Sequence, residues 1–346
     1  MPGEGVRDGK NQSARDGVRG LRTWRLAPVV ALVLGIVLLF GSLAGAQVRQ
    51  LSVVTGGTGG VYYVLGGALA ELLTRHVPNV NAVAEVTSAS VDNLFLVDSG
   101  EADIAFSLAD TVYLAMRGEG PFAGSGPLPL RALVNIYPNF NHLVTSADSG
   151  IQSVADLRGK RVSTGSPGSG TEVTALRILQ AYGIDPDRDI RRELLGAAES
   201  ADALRDGRID AFFWSGGYPT GAVSDIANSP RFDIFIVPMG DIVDKLLEEH
   251  GPFYAVSWFR AGWYSGDVKE DTPTVGVPNL LMVHEDMDEE LAYQITKAIF
   301  EYKHELEAVH PAAEQFSLQD AATSLVAPYH PGAIRYYKET GVWPGE

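Results

Sequence analysis

Two glycine-rich segments have the composition of loops that hold a small polar molecule. The first, residues 55–60 (TGGTGG), follows an apolar run at 51–54, and the second, residues 165–170 (GSPGSG), follows residues 160–164. A glycine-rich turn between a strand and a helix directs main-chain N–H groups outward at the helix N-terminus, where they bind anions and polar oxygens. The spacing therefore predicts two binding loops that need no lysine or arginine.

Short hydroxyl and amide side chains near these loops could orient the bound molecule. The predicted ligand contacts are Gly57, Thr58, Gly59, Gly60, Tyr62, Ser88, Ser90, Asn93, Ser107, Ser166, Gly168, Ser169, Gly170, Thr171, Ser215 and Gly217. Simpler roles stay open for some of them. The loops could be tight turns only, and Ser88 and Ser90 could be helix caps. Trp214 follows an apolar run and is predicted to belong to the core.

The sequence offers little enzyme chemistry. Neither loop matches the dinucleotide-binding or Walker pattern, there is no G-x-S-x-G elbow, and the seven histidines form no H-E-x-x-H pair. The chain has no cysteine, which excludes thiolate metal sites and cysteine nucleophiles. Asp103 and Asp210 are interpreted as turn residues. We therefore expect a binding protein without catalytic residues, metal or cofactor.

The elements around the loops alternate between strand and helix. Apolar runs at 51–54, 81–86 and 102–108 are separated by helices that begin near Val61 and after residue 90, which predicts a mainly parallel sheet. The order restarts with a strand at 160–164, a helix at 171–182 and a strand at 209–214. The segments at 100–106 and 207–213 also match, so the sequence predicts two similar lobes.

Two further segments are predicted to connect these lobes. The runs at 132–137 and 142–145, on either side of Pro138, form the first crossing, and 275–283 forms the return crossing, followed by a long helix at 289–308. Pro219 suits the first position of a helix. The predicted divisions are 47–140 for lobe I, 141–275 for lobe II and 276–346 for the return to lobe I. Because ligands of open α/β sheets bind beyond the carboxyl ends of the strands, the fold class is α/β with an interlobe cleft.

Residues 1–46 have the features of an export signal. Basic residues precede the apolar stretch 26–40, and the small residues Ala44-Gly45-Ala46 suit a cleavage site. An uncleaved membrane anchor is the alternative, since the apolar part reaches a spanning length. Both alternatives place the remaining chain outside the cytoplasm.

Bulk properties agree with a globular binding protein. Of the 346 residues, 45% are hydrophobic and 20% charged, and the net charge is −16. A nucleic-acid partner is excluded because it would need a basic surface. We expect a monomer that presents a small ligand to membrane subunits.

The chain resembles the TAXI family, the extracytoplasmic binding proteins of one branch of TRAP transporters. The segments that carry the resemblance are 55–63 (TGGTGGVYY), 66–70 (GGALA), 88–94 (SASVDNL), 100–106 (GEADIAF), 157–162 (LRGKRV), 165–172 (GSPGSGTE), 274–279 (TVGVPN) and 330–333 (HPGA). Each segment alone is unspecific, but their order and spacing extend the likeness over the whole chain after residue 46.

The resemblance implies a type II periplasmic-binding fold that delivers ligand to a TRAP permease. It implies glutamate, glutamine, 2-oxoglutarate or a related carboxylate as ligand. No equivalent is found here of the arginine with which the other large TRAP branch holds its carboxylate, so backbone and hydroxyl donors would do this. A sensory module that reports the same ligand to a receptor or kinase, and a periplasmic enzyme, are the alternative functions.

Overall fold

The computed structural model describes residues 48–323 and 326–345. The predicted signal or anchor, 1–46, lies outside the described residues. The strands are β1 (Arg49–Val54), β2 (Val80–Glu85), β3 (Ile104–Leu108), β4 (Leu130–Ser146), β5 (Arg161–Ser163), β6 (Arg191–Glu193), β7 (Ala211–Gly216), β8 (Ile234–Ile236), β9 (Ala255–Phe259) and β10 (Thr272–His284). The helices are α1 (Val61–His76), α2 (Ser90–Asp98), α3 (Ala109–Arg117), α4 (Gly170–Ala181), α5 (Ala197–Arg205), α6 (Gly221–Ala227), α7 (Val243–His250), α8 (Glu289–Glu301), α9 (Lys303–Val309), α10 (Leu318–Ala321) and α11 (Pro331–Glu339).

All ten strands belong to one sheet with two parallel parts. The order is β2-β1-β3-β10-β4-β7-β5-β6, with β8 paired to β4 and β9 paired to β10. Strands β1, β2 and β3 are parallel and define the first lobe, and β5, β6 and β7 are parallel and define the second lobe. Between them, β4 and β10 run antiparallel to each other. The predicted two-lobed α/β fold is therefore confirmed.

The two central strands cross from one lobe to the other. Pro138 of β4 lies opposite Pro278 of β10, and the register shifts between Pro278 and Leu280. The sequence predicted two runs on either side of Pro138, but β4 continues through it as one strand. The reason is that a proline is tolerated in a strand beside an irregularity, where no ladder hydrogen bond is required of it. The predicted lobe divisions, at 140/141 and 275/276, fall inside these two strands.

The two lobes have the same pair of hydrogen bonds at the turn that precedes β3 in the first lobe and β7 in the second. The N–H of Ser52 donates to Asp103 Oδ2 at 2.9 Å, and the N–H of Asp103 donates to the Ser52 carbonyl at 3.0 Å. In the second lobe, Arg161 and Asp210 make the same pair of bonds at 2.7 and 2.8 Å. Both aspartates, which were interpreted as turn residues, thus also join neighbouring strands.

Two helix predictions were wrong in detail. The helix expected at 289–308 is two helices, α8 and α9, that meet at Tyr302. Pro219 does not occupy the first position of a helix, because α6 begins at Gly221 with Thr220 as its N-cap. The Thr220 hydroxyl donates to the Gly217 carbonyl at 2.7 Å and so holds a turn that delays the helix.

The C-terminal helix packs on helices of the first lobe. Helix α11 packs against α8, which in turn contacts α1. His330 caps α11 by accepting the N–H of Gly332 at 3.2 Å, and Tyr293 donates to Glu339 at 2.7 Å. Within the described residues, none of the helices combines the length and apolar character needed to cross a bilayer.

Candidate ligand-binding cleft

A cavity of about 260 Å³ lies between the lobes, at the carboxyl ends of β1, β3, β5 and β7. This is the place where open α/β sheets hold ligands. Its walls are formed by Gly56, Gly57, Gly60, Val61, Tyr62, Val86, Thr87, Ser88, Ala89, Ser90, Leu108, Tyr137, Asn139, Ser166, Ser169, Gly170, Thr171, Gly196, Ala197, Glu199, Trp214, Ser215 and Gly216. Ligand pockets usually occupy about 300–1,000 Å³. The volume of this cavity lies just below that range, so the cavity suits a small molecule.

Four helices begin at the cavity wall. They are α1, α2, α4 and α5, and the first residue of each lines the cavity. Helix α4 has a side-chain cap, since Ser169 Oγ accepts the N–H of Glu172 at 3.1 Å. The other three start without a side-chain cap. The first-turn N–H groups of α1 and α5 are therefore available to an anionic or polar ligand group, whereas in α2 the N–H groups of Val91 and Asp92 already bond to the Gly168 carbonyl.

A network of amides forms the floor of the cavity. Asn279 Nδ2 donates to the Tyr137 carbonyl and to Asn139 Oδ1, each at 2.7 Å, and Asn279 Oδ1 accepts the Tyr62 hydroxyl. Asn139 Nδ2 reaches Ser215 Oγ at 3.4 Å. Because these groups satisfy one another, the floor is held in place before a ligand arrives.

Tyr137 differs from its neighbours because its hydroxyl has no partner. The residue is 1% exposed and lines the cavity, yet its hydroxyl oxygen is buried without a hydrogen bond. Burial raises the pKa of the Tyr137 phenol well above its usual value, so the group is a neutral donor at physiological pH. An unsatisfied buried hydroxyl costs free energy, which a ligand oxygen at this wall would recover.

The two lobes contact each other at the edges of the cleft, here called its lips, through main-chain hydrogen bonds. The Gly168 carbonyl of the second lobe accepts the N–H groups of Val91 at 3.1 Å and Asp92 at 3.3 Å. On the other side, the Gly59 carbonyl accepts the N–H of Ala222 at 3.2 Å. Gly168 has a φ of +77°, and a Cβ there would collide with the Asp92 carboxylate. The described conformation is therefore closed around the cavity.

A buried charge pair joins the lobes away from the cavity. Asp110 of α3 is fully buried and accepts hydrogen bonds from Thr174 at 2.7 Å and Tyr254 at 3.0 Å. Arg177 of α4 donates to the Tyr254 hydroxyl at 2.9 Å and lies 3.8 Å from the Asp110 carboxylate. The cluster thus connects a helix of each lobe.

The structure divides the predicted contacts into two groups. Those that line the cavity are Gly57, Gly60, Tyr62, Ser88, Ser90, Ser166, Ser169, Gly170, Thr171 and Ser215. Those outside its lining are Thr58, Gly59, Asn93, Ser107, Gly168 and Gly217. For the second group, this placement does not support direct contact with a ligand.

Residues of the second group have other structural roles. Asn93 is fully buried, and its amide donates to the Thr55 carbonyl at 2.7 Å and the Phe106 carbonyl at 2.8 Å, which joins β1 to β3. Ser107 is buried within β3, and Thr58 is exposed. Gly59 and Gly168 form the interlobe contacts, and a Cβ at Gly217 would meet the Tyr137 ring at 2.8 Å. A small polar residue type therefore did not distinguish residues that line the cavity from residues that support the backbone.

Sequence reasoning missed four prominent residues of the wall: Tyr137, Asn139, Glu199 and Trp214. Trp214 was predicted to be core, but it is half-buried at the wall and donates to Thr220 Oγ1 at 3.1 Å. Its position at the end of β7, next to the predicted contact Ser215, was a usable signal. Glu199 is the charged residue among the described residues of the lining, which include no lysine or arginine.

Comparisons with known proteins agree with this architecture. The fold is the two-lobed α/β fold that periplasmic binding proteins share. The chain belongs to the NMT1-like family, which it matches over residues 53–341.

Similar solved structures share the fold at low sequence identity. One is a protein of Bordetella bronchiseptica RB50, with 18% identity and a TM-score of 0.51, which covers 85% of this chain and 83% of that one. Another is the periplasmic aliphatic sulphonate binding protein SsuA from Escherichia coli, with 14% identity, a TM-score of 0.44 and coverages of 84% and 78%. A third is an ancestral arginine-binding protein bound to arginine, with 16% identity, a TM-score of 0.46 and coverages of 78% and 100%.

Proposed function

We propose that this protein is an extracytoplasmic solute-binding protein that captures a small carboxylate or amino acid and presents it to a membrane transporter. The observation that carries the proposal is a closed interlobe cavity at which four helices begin, with the unpaired hydroxyl of Tyr137 buried beside it. These groups donate hydrogen bonds to an anionic oxygen without a basic side chain.

The transporter class is part of the proposal and rests on the sequence. The ordered segments that resemble the TAXI family favour a TRAP permease as the partner, and the features of residues 1–46 favour export. The cavity volume of about 260 Å³ supports a ligand of the size of an amino acid or a short dicarboxylate.

Thermal unfolding of the purified protein with a panel of amino acids and dicarboxylates tests the proposal. A ligand at about a thousand times its Kd stabilises the native state by roughly 4 kcal/mol. This should raise the unfolding midpoint by several degrees. The panel should be repeated after unfolding and refolding, which removes any ligand that co-purifies. Absence of a shift for every refolded sample would contradict capture of this ligand class.

A further inference from the structure

Glu199 is an exposed carboxylate without a cationic partner at the edge of a cavity that otherwise offers donors. By contrast, Glu172 at the start of α4 is paired with Arg192. Among the described residues, no lysine, arginine or histidine nitrogen lies within 4.0 Å of the Glu199 carboxylate. Its charge is therefore available to something that enters the cavity.

Glu199 also has a local structural role. It is the third residue of α5, and an acidic residue in the first turn interacts favourably with the helix dipole. Its Oε2 lies close to the start of that helix, since a Cβ on Gly196 would be 2.5 Å away from it. Glutamine also occurs at this third helix position, although it lacks the charge that interacts with the dipole. The change Glu199→Gln therefore removes the charge while it keeps the shape and the helix start.

The two kinds of group in the cavity complement a molecule that carries both signs of charge. The uncapped first turn of α1 and the hydroxyl groups of Ser88 and Ser166 in the lining provide donors for a carboxylate. A ligand with only negative groups would place one of them in the field of an uncompensated Glu199, and like charges at close range disfavour binding. An ammonium group instead pairs with this carboxylate by a charge-assisted hydrogen bond.

We infer that the cleft selects α-amino acids over the matching α-keto acids, with Glu199 as the acceptor of the ligand's ammonium group. This inference rests on the proposed function and specifies its ligand class. Under it, Glu199 is a specificity-determining residue, and the donors at the helix starts hold the carboxylate that both members of each pair share.

Titration calorimetry with pairs that differ only at the α carbon tests this. Suitable pairs are L-glutamate with 2-oxoglutarate, L-leucine with 4-methyl-2-oxopentanoate, and L-phenylalanine with phenylpyruvate. The amino acid of the best-bound pair should bind about threefold to fivefold more tightly than its keto acid, because a pair with an exposed carboxylate contributes up to about 1 kcal/mol. In Glu199→Gln, the affinity for the amino acid should fall by the same factor, whereas that for the keto acid should stay the same or rise.

The control is Glu193→Gln, which removes the same charge from an exposed position in β6 outside the cavity lining. It should leave the affinity ratio within each pair unchanged. Equal or tighter binding of the keto acid by the unmodified protein, or an equal loss for both members in Glu199→Gln, would overturn the inference while capture itself stands. If no member of any pair binds the refolded protein, both the inference and the proposed function are contradicted.

Discussion

The Asp110 carboxylate and the Arg177 guanidinium lie 3.8 Å apart, between a helix of the first lobe and a helix of the second. The Asp110 side chain is fully buried and that of Arg177 is 10% exposed. Two buried charges stabilise the protein only as a pair, because either charge alone would have neither water nor an opposite charge next to it.

Removal of one member of this pair should be strongly destabilising. We expect Asp110→Ala to lower the free energy of unfolding by about 3–5 kcal/mol in denaturant titrations, since Arg177 would remain buried and unpaired. Asp202→Ala is the control, because its pair with Arg205 is exposed and should contribute less than about 1 kcal/mol. If both variants lost a similar free energy of unfolding, the buried pair would contribute no more to stability than the exposed pair.

Tyr137→Phe should weaken ligand binding without lowering the free energy of unfolding. The hydroxyl has no partner without ligand, so its removal should leave the free energy of unfolding unchanged or slightly higher. Affinity should fall about fivefold to tenfold, as for the loss of a neutral hydrogen bond of about 1 kcal/mol. Tyr62→Phe provides the contrast, because it leaves the buried oxygen of Asn279 without its donor and should lower the stability of the unliganded protein. Full affinity in Tyr137→Phe would remove this hydroxyl from the proposed site.

Gly168→Ala should weaken closure of the cleft. The substitution places a side chain at a φ of +77° and against Asp92 of the other lobe, so an open conformation becomes more favourable. Gly150→Ala is matched in backbone, with a φ of +74°, but has open space around it. Both variants should lose about 1 kcal/mol of stability. Only Gly168→Ala should bind ligand more weakly, by about tenfold, and show a larger radius of gyration in X-ray scattering. Equal affinities in the two variants would contradict a role in closure.

His142 should make the protein sensitive to mild acid. Burial lowers the pKa of this imidazole from 6.5 to about 4, and its Nε2 lies 2.7 Å from the Tyr264 hydroxyl. Since the unfolded chain takes up the proton first, this contribution to stability is intact above pH 6.5 and declines as the pH falls towards about 4. The total loss is on the order of 3 kcal/mol.

Denaturant titrations between pH 7 and pH 4 would measure this effect. His142→Gln, which does not titrate, should lose less stability over the same interval than the unmodified protein. The other histidines contribute equally to both proteins and cancel in the difference. Parallel pH profiles would rule out His142 as the cause.

The sequence predicted the fold largely because its signals are local. Glycine-rich turns after apolar runs located the ends of β1 and β5, and the repeated Gly-x-x-Asp turns at Asp103 and Asp210 indicated two similar lobes. Strand and helix periodicity could not reveal that β4 continues through Pro138, because that depends on its partner strand. The helix break at Tyr302 had no marker such as glycine or proline.

The binding site was harder to predict because it is assembled from distant parts of the chain. Tyr137 and Asn139 come from a crossing strand whose side chains alternate between core and cavity, and only the topology shows which of them face the ligand space. Asn93 has the composition of a ligand contact, yet its donors are used by the backbone of β1 and β3. Residue type alone could not separate these roles.

The facing prolines of the crossing strands have a mechanical consequence. At Pro138 and Pro278 neither residue has an N–H, so the two strands are joined less tightly there than along the rest of their length. Tyr137 and Asn139, which carry the cavity floor, are the immediate neighbours of Pro138. The point with the fewest hydrogen bonds in the connection between the lobes therefore lies directly beneath the cavity, so that any bending of the crossing strands there would move the edges of the cleft apart.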